Sequence, residues 1–374
     1  MLRFHLLHVC AIILLAVSAL LVAAAGCFHR GRTAPGPPAA QVRQAPVAST
    51  YVGNDACKEC HQKEFAAHAE SAHARTLAVG TRNGMGRLSP PIGEIPGTRY
   101  AVKAKGEGFE LGVPGKPAIT RAIDLVIGSG KFGVSYMTVH ANGMERLRMS
   151  YLPTLGKWYK HPGDEDLALY DPPIKFDLHQ SRNCLRCHSV SQPASAFMPQ
   201  NRFFGVGCES CHGPGSAHIE AARTKSTGRQ RDLHMEKLSA LGATRIIEMC
   251  GRCHSKSGDS TETVTSPEDT VRFAANALMQ SRCFWQSADV FSCLTCHDSH
   301  TDVSKDPNHY NGACLKCHGP GPGKPADGYP CPVNPKDKCT SCHMKPGKFR
   351  PGTDIPTKMT EHYIRPPAAL RAGG

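Results

Sequence analysis

The sequence predicts a mainly α and irregular fold carrying a small antiparallel β insertion at about residues 98–152. Three observations predict it. The pattern Cys-x-x-Cys-His recurs seven times, aromatic residues make up only 6% of the chain while glycine and proline supply 36 and 29 residues, and one stretch alternates apolar and polar positions at period two. A chain of 374 residues has the length for two ordinary domains. Its apolar mass is thin for two conventional cores, so something besides side chains must fill the interior.

The repeats say what that is. They lie at Cys57/Cys60/His61, Cys184/Cys187/His188, Cys208/Cys211/His212, Cys250/Cys253/His254, Cys293/Cys296/His297, Cys314/Cys317/His318 and Cys339/Cys342/His343. Two thiols three residues apart and a histidine one residue later fit on a single helical turn. Both thiols can then bond a porphyrin edge while the imidazole reaches iron, which is the attachment signature of c-type haem. Zinc knuckles, dithiol redox sites and disulfides also use Cys-x-x-Cys pairs. A zinc site needs no histidine directly after its second cysteine, whereas every pair here has one. The expected cofactors are therefore seven covalently attached c-type haems (iron protoporphyrin), with the seven motif histidines as proximal ligands. The fold class becomes a multihaem cytochrome c fold built around stacked haems, in which thioether links and macrocycles replace a conventional core.

The elements follow in chain order. Residues 1–26 place Arg3 before an apolar run from Leu6 to Leu21 and the small residues Ala23, Ala24, Ala25 and Gly26, which reads as an export signal. Ala24-Ala25-Gly26-Cys27 resembles a bacterial lipoprotein signal, making Cys27 a lipidation candidate, with Ala24 where that pattern usually has leucine. A cleaved signal peptide and an uncleaved anchor stand beside it. All three readings put the body outside the cytoplasm, in the periplasm or cell envelope, where haem is attached and stray thiols oxidise. Residues 27–50, with Pro35, Gly36, Pro37, Pro38 and Pro46, form a proline-rich linker. A first haem-binding segment occupies 51–90, a β module 91–165, and a six-haem domain 166–374.

In the β module the alternating runs are Tyr100, Val102, Ala104; Phe109, Leu111, Val113; Ile123, Leu125, Ile127; Val134, Tyr136, Thr138; and Leu147, Met149, Tyr151. Gly106-Glu107-Gly108, Gly128-Ser129-Gly130 and Asn142-Gly143 mark the turns. Four or five antiparallel strands are expected, with short helices and loops elsewhere.

Iron in such proteins usually takes a second axial ligand. Of the twenty histidines, seven sit in motifs and His5, His8 and His29 precede the body, leaving His68, His73, His140, His161, His179, His218, His234, His300, His309 and His362. Two ligands of one iron approach opposite faces of the porphyrin, and a few residues of chain cannot pass around the ring. His300, His218 and His68, close behind His297, His212 and His61, must therefore serve neighbouring haems if they ligate at all. Met344 is excluded from its own iron in the same way.

Several stretches carry a family resemblance. Tyr51-Val52-Gly53 through Cys57-Lys-Glu-Cys60-His61 to Ser71-Ala72-His73 resembles the opening of the cytochrome c-554 family of multihaem cytochromes. Gly207-Cys208-Glu-Ser-Cys211-His212-Gly213-Pro214-Gly215-Ser-Ala-His218 is similar to that family's most specific element. Cys293-Leu-Thr-Cys296-His297-Asp298-Ser299-His300 resembles its Cys-x-Thr-Cys-His-Asp-Pro-His element, with Ser299 in place of proline. Cys339-Thr-Ser-Cys342-His343-Met344 and Thr360-Glu361-His362-Tyr363-Ile364-Arg365 resemble its closing pair, with departures at Lys345 and Glu361. The resemblance spans residues 51–366 and implies distal ligation by His73, His218, His300 and His362. His179 and His309, each five residues before a motif cysteine, are the next candidates. The seventh distal position is open among His68, His161 and His234, and His140, beside a turn, is expected at the surface.

Cys283 and Cys331 remain in the mature body, and in an oxidising compartment they are candidates for a disulfide, the alternative being two buried thiols. The formal net charge of +13 suggests an anionic partner at first sight. Seven haems bring roughly fourteen propionate charges against about +1 per ferric core, leaving about +6 oxidised and near zero reduced, with bound cofactors dominating the field. No aromatic-and-basic cluster supports nucleic-acid binding. Closely spaced haems pass single electrons without a substrate pocket. The expected role is thus electron carriage between quinol-linked membrane donors and terminal acceptors or reductases, with membrane association through the N-terminus. The alternative is a multihaem oxidoreductase of small nitrogen or sulfur compounds using one open-coordinate haem, for which relatives of the resembled family provide the precedent. No catalytic residue is assigned.

Overall fold

The first element to form around the leading motif is a pair of short helices, α1 (Asp55–Lys58) and α2 (Gln62–Ala69), in a computed structural model. It describes residues 49–113, 116–162, 164, 172–190, 197–224, 234–256, 258, 266–287, 289–322, 331, 337–348, 355 and 357–366. The export signal, nearly all of the linker and Cys27 lie outside the described residues. Residues 48–374 form one compact unit.

After α2 the chain enters a β region that is larger than the alternating runs predict. Its strands are β1 (Leu77–Val79), β2 (Gly93–Glu94), β3 (Ala101–Lys105), β4 (Gly108–Val113), β5 (Lys116–Ala122), β6 (Leu125–Ile127), β7 (Val134–His140), β8 (Gly143–Leu152), β9 (Lys157–Lys160) and β10 (Ile174–Phe176). A short helix α3 (Arg82–Met85) follows β1, capped by Thr81, whose side chain accepts from the Gly84 N–H. Two antiparallel sheets result: a four-stranded one in order β2-β3-β4-β5, and a six-stranded one in order β1-β6-β7-β8-β10 with β9 also on β8. The insertion therefore reaches from Leu77 to Phe176, beyond the expected 98–152. β1 comes from the first haem-binding segment and β10 leads into the six-haem region. Three-residue strands such as β1 and β10 are too short to show a period, and they exist because the larger sheet supplies pairing partners.

The two sheets face each other across a core that includes Tyr100, Val102, Phe109 and Leu111 from the four-stranded sheet. Val126, Val134, Tyr136, Leu147 and Met149 meet them from the six-stranded one. The Tyr136 hydroxyl, buried with its ring, donates to the Leu88 carbonyl at 2.8 Å, as a phenol in an apolar core must. The other face of the larger sheet is also covered: Leu77, Leu125, Met137 and Met144 pack against Leu185 and Phe197. This explains why β7 buries Val134, Ser135, Tyr136 and Met137 in succession, losing the half-exposed alternation. The β7–β8 hairpin closes where Asn142-Gly143 predicted, with His140 paired to Gly143. Gly143 has φ +139°, and a Cβ there would lie 2.0 Å from the Phe176 carbonyl oxygen, so only glycine fits.

The rest is short helices, as expected. α4 (Leu178–His188) starts in a capping box of Asp177 and Gln180 and buries Ser181 and Leu185. Then come α5 (Cys208–His212), α6 (Ser216–Arg223), α7 (Ala243–His254), α8 (Pro267–Arg272), α9 (Ala274–Met279), α10 (Arg282–Gln286), α11 (Pro307–His318) and α12 (Cys339–His343). A two-stranded ribbon, β11 (Pro346–Lys348) with β12 (Lys358–Thr360), follows. α7 presents Ile247 to Ala275, Leu278 and Phe284 in a small third core, and its first amides are capped from a distance by Asp289, whose carboxylate accepts from Thr244 N at 2.7 Å. No described helix is long and apolar enough to cross a membrane.

Residues 51–54 are bolted onto α5. The Glu209 carboxylate, 2% exposed, accepts from the N–H groups of Val52 (2.9 Å), Gly53 (2.8 Å) and Gly215 (2.7 Å). Asn54 in turn accepts from Cys208 N at 2.9 Å, so the leading segment caps the helix that carries the third motif.

Candidate haem-binding site

Each motif folds into the turn its spacing predicts. α4, α7 and α11 end on His188, His254 and His318, and α5 and α12 are little more than the motifs themselves. The first and fifth motifs close the same turn outside long helices, with His61 N donating to Cys57 O and His297 N to Cys293 O, both at 3.0 Å. Both thiols and the imidazole of each motif are thereby held on one short stretch of backbone.

Four motif imidazoles face another imidazole. Ring centroids are 6.2 Å apart for His61 and His218, 6.1 Å for His73 and His254, 6.3 Å for His212 and His300, and 6.2 Å for His297 and His362. Metal–imidazole bonds of roughly 2 Å on either side of one ion hold two ring centroids about 6.3 Å apart. The four separations agree with that value within about 0.2 Å, a tighter clustering than the range of about 4.5–7 Å over which ordinary aromatic pairs spread. The residues present fit haem iron held between two histidines. All four distal histidines come from another motif's neighbourhood, as the chain-length argument requires. His218 follows the third motif and faces the first, His300 follows the fifth and faces the third, His362 follows the seventh and faces the fifth, and His73 follows the first and faces the fourth.

Hydrogen bonds on the far ring nitrogen fix the orientation. A carbonyl only accepts, so an Nδ1 against one carries the proton and leaves Nε2 for metal. His188 donates from Nδ1 to Thr76 O at 3.0 Å, His343 to Arg365 O at 3.1 Å and His362 to Thr360 O at 3.0 Å. His300 sets its Nδ1 3.1 Å from the Asp298 carboxylate. Burial pushes His188, His212 and His297 below the usual imidazole range, and pushes His254 and His362 down to about 4, so these rings are neutral, the form that binds a metal.

The remaining candidates are placed elsewhere. Neither His179 nor His309 sits at ligation spacing from a described motif imidazole, though His309 lies within electrostatic reach of His297; each is nine residues before the histidine that ends its own helix, about 13 Å along the axis, and cannot reach that iron's opposite face. His179 instead lies 3.2 Å from Asn183, and His309 packs edge-on to Tyr310. His68 donates from Nε2 to Val206 O at 2.9 Å and acts as a joint between segments. His161 turns Nδ1 to the hydroxyls of Ser150 (2.8 Å) and Ser135 (3.2 Å) on the large sheet. His234 stands at φ +50° after a segment outside the described residues. His140 lies at the β7 end, 3.5 Å from Glu145. No described imidazole sits at ligation spacing from His188 or His343. No bond joins Cys283 to Cys331 among the described residues. Cys283 faces a different set of sulfurs, within electrostatic reach of Cys296, Cys314 and Cys317.

The motif cysteines also show which motifs adjoin. Sulfurs of different motifs adjoin at Cys57 and Cys208, Cys187 and Cys253, Cys250 and Cys293, and Cys314 and Cys339. Cys211 lies within electrostatic reach of Cys250, and Cys296 of Cys314. The fourth motif thus adjoins the second, third and fifth. Sequence alone gave no signal for this adjacency, because it depends on how the helices pack.

Residues 159–213, from β9 through the second and third motifs, match the family described as cytochrome c554 and c-prime. That segment is similar to a family of c-type cytochromes. Its resemblance to that family was legible in the sequence, and the matched segment includes Cys208 to His212, the element with the most family-specific surroundings. Among solved structures the chain is similar to outer cell wall cytochrome OcwA, at 17% identity and a TM-score of 0.49, over 84% of this chain and 79% of that one. No curated protein matches it.

Proposed function

We propose that the chain is an exported heptahaem electron conduit, accepting electrons from quinol-linked membrane donors and passing them to terminal acceptors. The carrying observation is the set of four cross-chain imidazole pairs at 6.1–6.3 Å. Each of those histidine pairs would hold one iron between two separated parts of the chain. Bound haem supplies reversible one-electron exchange between ferric and ferrous iron. The chain's part is to hold the groups in contact, to keep His188, His212, His254, His297 and His362 neutral by burial, and to fix His188, His300, His343 and His362 by their Nδ1 partners.

The sulfur contacts support a spatial order of motifs 1-3-4-5-6-7, with motif 2 branching from motif 4. Cys250 and Cys253 make the fourth motif the junction of that path. Protein-film voltammetry on the purified holoprotein tests the role: a reversible envelope integrating to seven electrons without added substrate supports a conduit. Absence of direct exchange, or current only with a substrate present, would refute it.

One observation favours the second reading, an oxidoreductase with an open iron position. His188 presents Nε2 with no imidazole at ligation spacing among the described residues, unlike His61, His212, His254 and His297.

A further inference from the structure

The ligating imidazoles do not all lean on the same kind of acceptor. His188, His343 and His362 give Nδ1–H to the main-chain carbonyls of Thr76, Arg365 and Thr360. His300 gives it to a carboxylate: its Nδ1 is 3.1 Å from Asp298 Oδ1, and its own backbone N–H donates to the same oxygen at 2.9 Å. His362 and His300 make a close comparison, because each ring turns to the residue two positions before it, Thr360 through its main chain and Asp298 through its side chain. The bond to the His300 amide closes a local Asx turn, which pins the acceptor that holds the ring.

The two acceptors act differently on a metal ligand. A carboxylate is ionised at neutral pH and only accepts, so Nδ1 of His300 carries the proton. A bond to an ionised acceptor is roughly twice as strong as one to a neutral carbonyl, and it makes the opposite nitrogen, Nε2, a stronger donor to metal. Ferric iron gains more from a stronger donor than ferrous iron does, so the oxidised form is favoured and the potential falls. The bond, more than the bare charge, carries this effect. The Asp298 side chain is 60% exposed and Lys63 lies within electrostatic reach of it, so its field at a distance is screened and partly offset.

A second feature marks the same pair of rings. His212 and His300 lie within 13° of parallel, whereas His61 with His218, His297 with His362 and His73 with His254 are turned by 32°, 43° and 66°. Imidazoles that are parallel across ferric iron donate into the same d orbital and split the low-spin levels widely, which gives a rhombic paramagnetic signal with three resolved g values. Strongly crossed rings leave those levels nearly degenerate. The pair that Asp298 touches is therefore also the most rhombic of the four, and its haem carries a spectroscopic label.

We propose that Asp298, through its bond to His300 Nδ1, is a positioning residue that lowers the midpoint potential of the haem held between His212 and His300. The inference rests on that histidine pair holding iron, and it deepens the conduit reading. The third motif adjoins the first through Cys57 and Cys208 and the fourth through Cys211 and Cys250, so electrons passing between them cross a step in potential there.

The test is Asp298→Asn, which keeps an oxygen acceptor in place and removes its charge, leaving a neutral acceptor like the Thr360 carbonyl. Redox titrations of holoprotein followed by electron paramagnetic resonance read the effect, with His300→Ala identifying the signal that belongs to this haem. In Asp298→Asn the equilibrium of that haem should move toward ferrous by about threefold or more, which is about 28 mV upward at about 59 mV per tenfold for one electron. The largest g value of its signal should rise at the same time, because the donor is weaker. A change of less than about 1.5-fold, or one toward ferric, overturns the proposal while the pairing and the conduit stand. A shifted midpoint with unmoved g values assigns the effect to charge acting at a distance and overturns it as well. An unchanged spectrum in His300→Ala removes the pairing underneath and this inference with it.

Discussion

Replacing Glu209 with alanine should release the leading haem segment from the rest of the molecule. The carboxylate accepts from Val52, Gly53 and Gly215 at 2.7–2.9 Å and is almost fully buried. Alanine leaves three amides without an acceptor. The Gly215 N–H is held between α5 and α6 and bears the full penalty of about 2–3 kcal/mol, while Val52 and Gly53 lie on a terminal strand of chain that can swing into water, costing about 1 kcal/mol each. The total is about 4 kcal/mol, equivalent to a fall in melting midpoint of roughly 8 °C or more for a body of this size. Glu209→Gln keeps one acceptor oxygen and turns an NH2 toward the remaining donors, so it should recover less than half of the loss. The release also separates Asn54 from Cys208 N and the Cys57 sulfur from Cys208, so the expected signature is local: faster proteolytic cleavage between residues 49 and 62 at a temperature where the β sheets remain intact. Thermal melts of holoprotein followed by circular dichroism, with mapped proteolysis, measure both effects. An alanine variant that melts within about 1 °C of wild type and is cut no faster would refute the reasoning.

Other expectations follow from the same geometry. His300→Ala and His218→Ala should each convert one haem from low to high spin, read by electron paramagnetic resonance; an unchanged spectrum would break the pairing with His212 or His61. Burial works against the Glu145 carboxylate, but its bond to Arg121 at 2.8 Å, aided by His140, outweighs burial and holds the group below the usual carboxylate range. A depressed carboxylate stabilises the fold above its unfolded value of about 4.3 and loses that contribution as pH falls through the folded value. Arg121→Gln should therefore begin to lose the β region at a higher pH than wild type in an acid titration, and coincident curves would contradict this. Alkylation without reductant should label Cys283, which is not bonded to Cys331; a Cys283 that resists labelling until reduced would contradict it. Chain expressed without haem should lack protease-resistant structure over residues 170–345, because helices as short as α5 and α12 have little side-chain core to hold them.

Much of the site was legible because attachment chemistry is local. Two cysteines and a histidine on one turn need no tertiary information, and the ligand rule that a histidine just behind a motif must serve another haem followed from porphyrin size alone. In keeping with it, His218 faces His61 and His300 faces His212, not the histidines of their own motifs. His254 as the partner of His73, and the fourth motif as the junction, were not legible, since both depend on where α7 packs. The distance argument that freed His218 from its own motif also counted against His179 and His309, each on the same straight helix as its motif; their sequence position alone did not reveal this. In the β region the hairpins β3–β4 and β7–β8 followed their turn residues. β1, β5 and β10 did not, being short, proline-bearing or formed by pairing with a sheet whose other face is covered by α4.

The central claim is that this chain holds haem iron between histidines drawn from separate segments, at four pairs among the described residues. Near-infrared magnetic circular dichroism of the oxidised holoprotein measures bis-imidazole coordination directly. Intensity for at least four bis-histidine haems per chain is predicted. Intensity for fewer than four, or charge-transfer bands dominated by histidine–methionine coordination, would contradict the account.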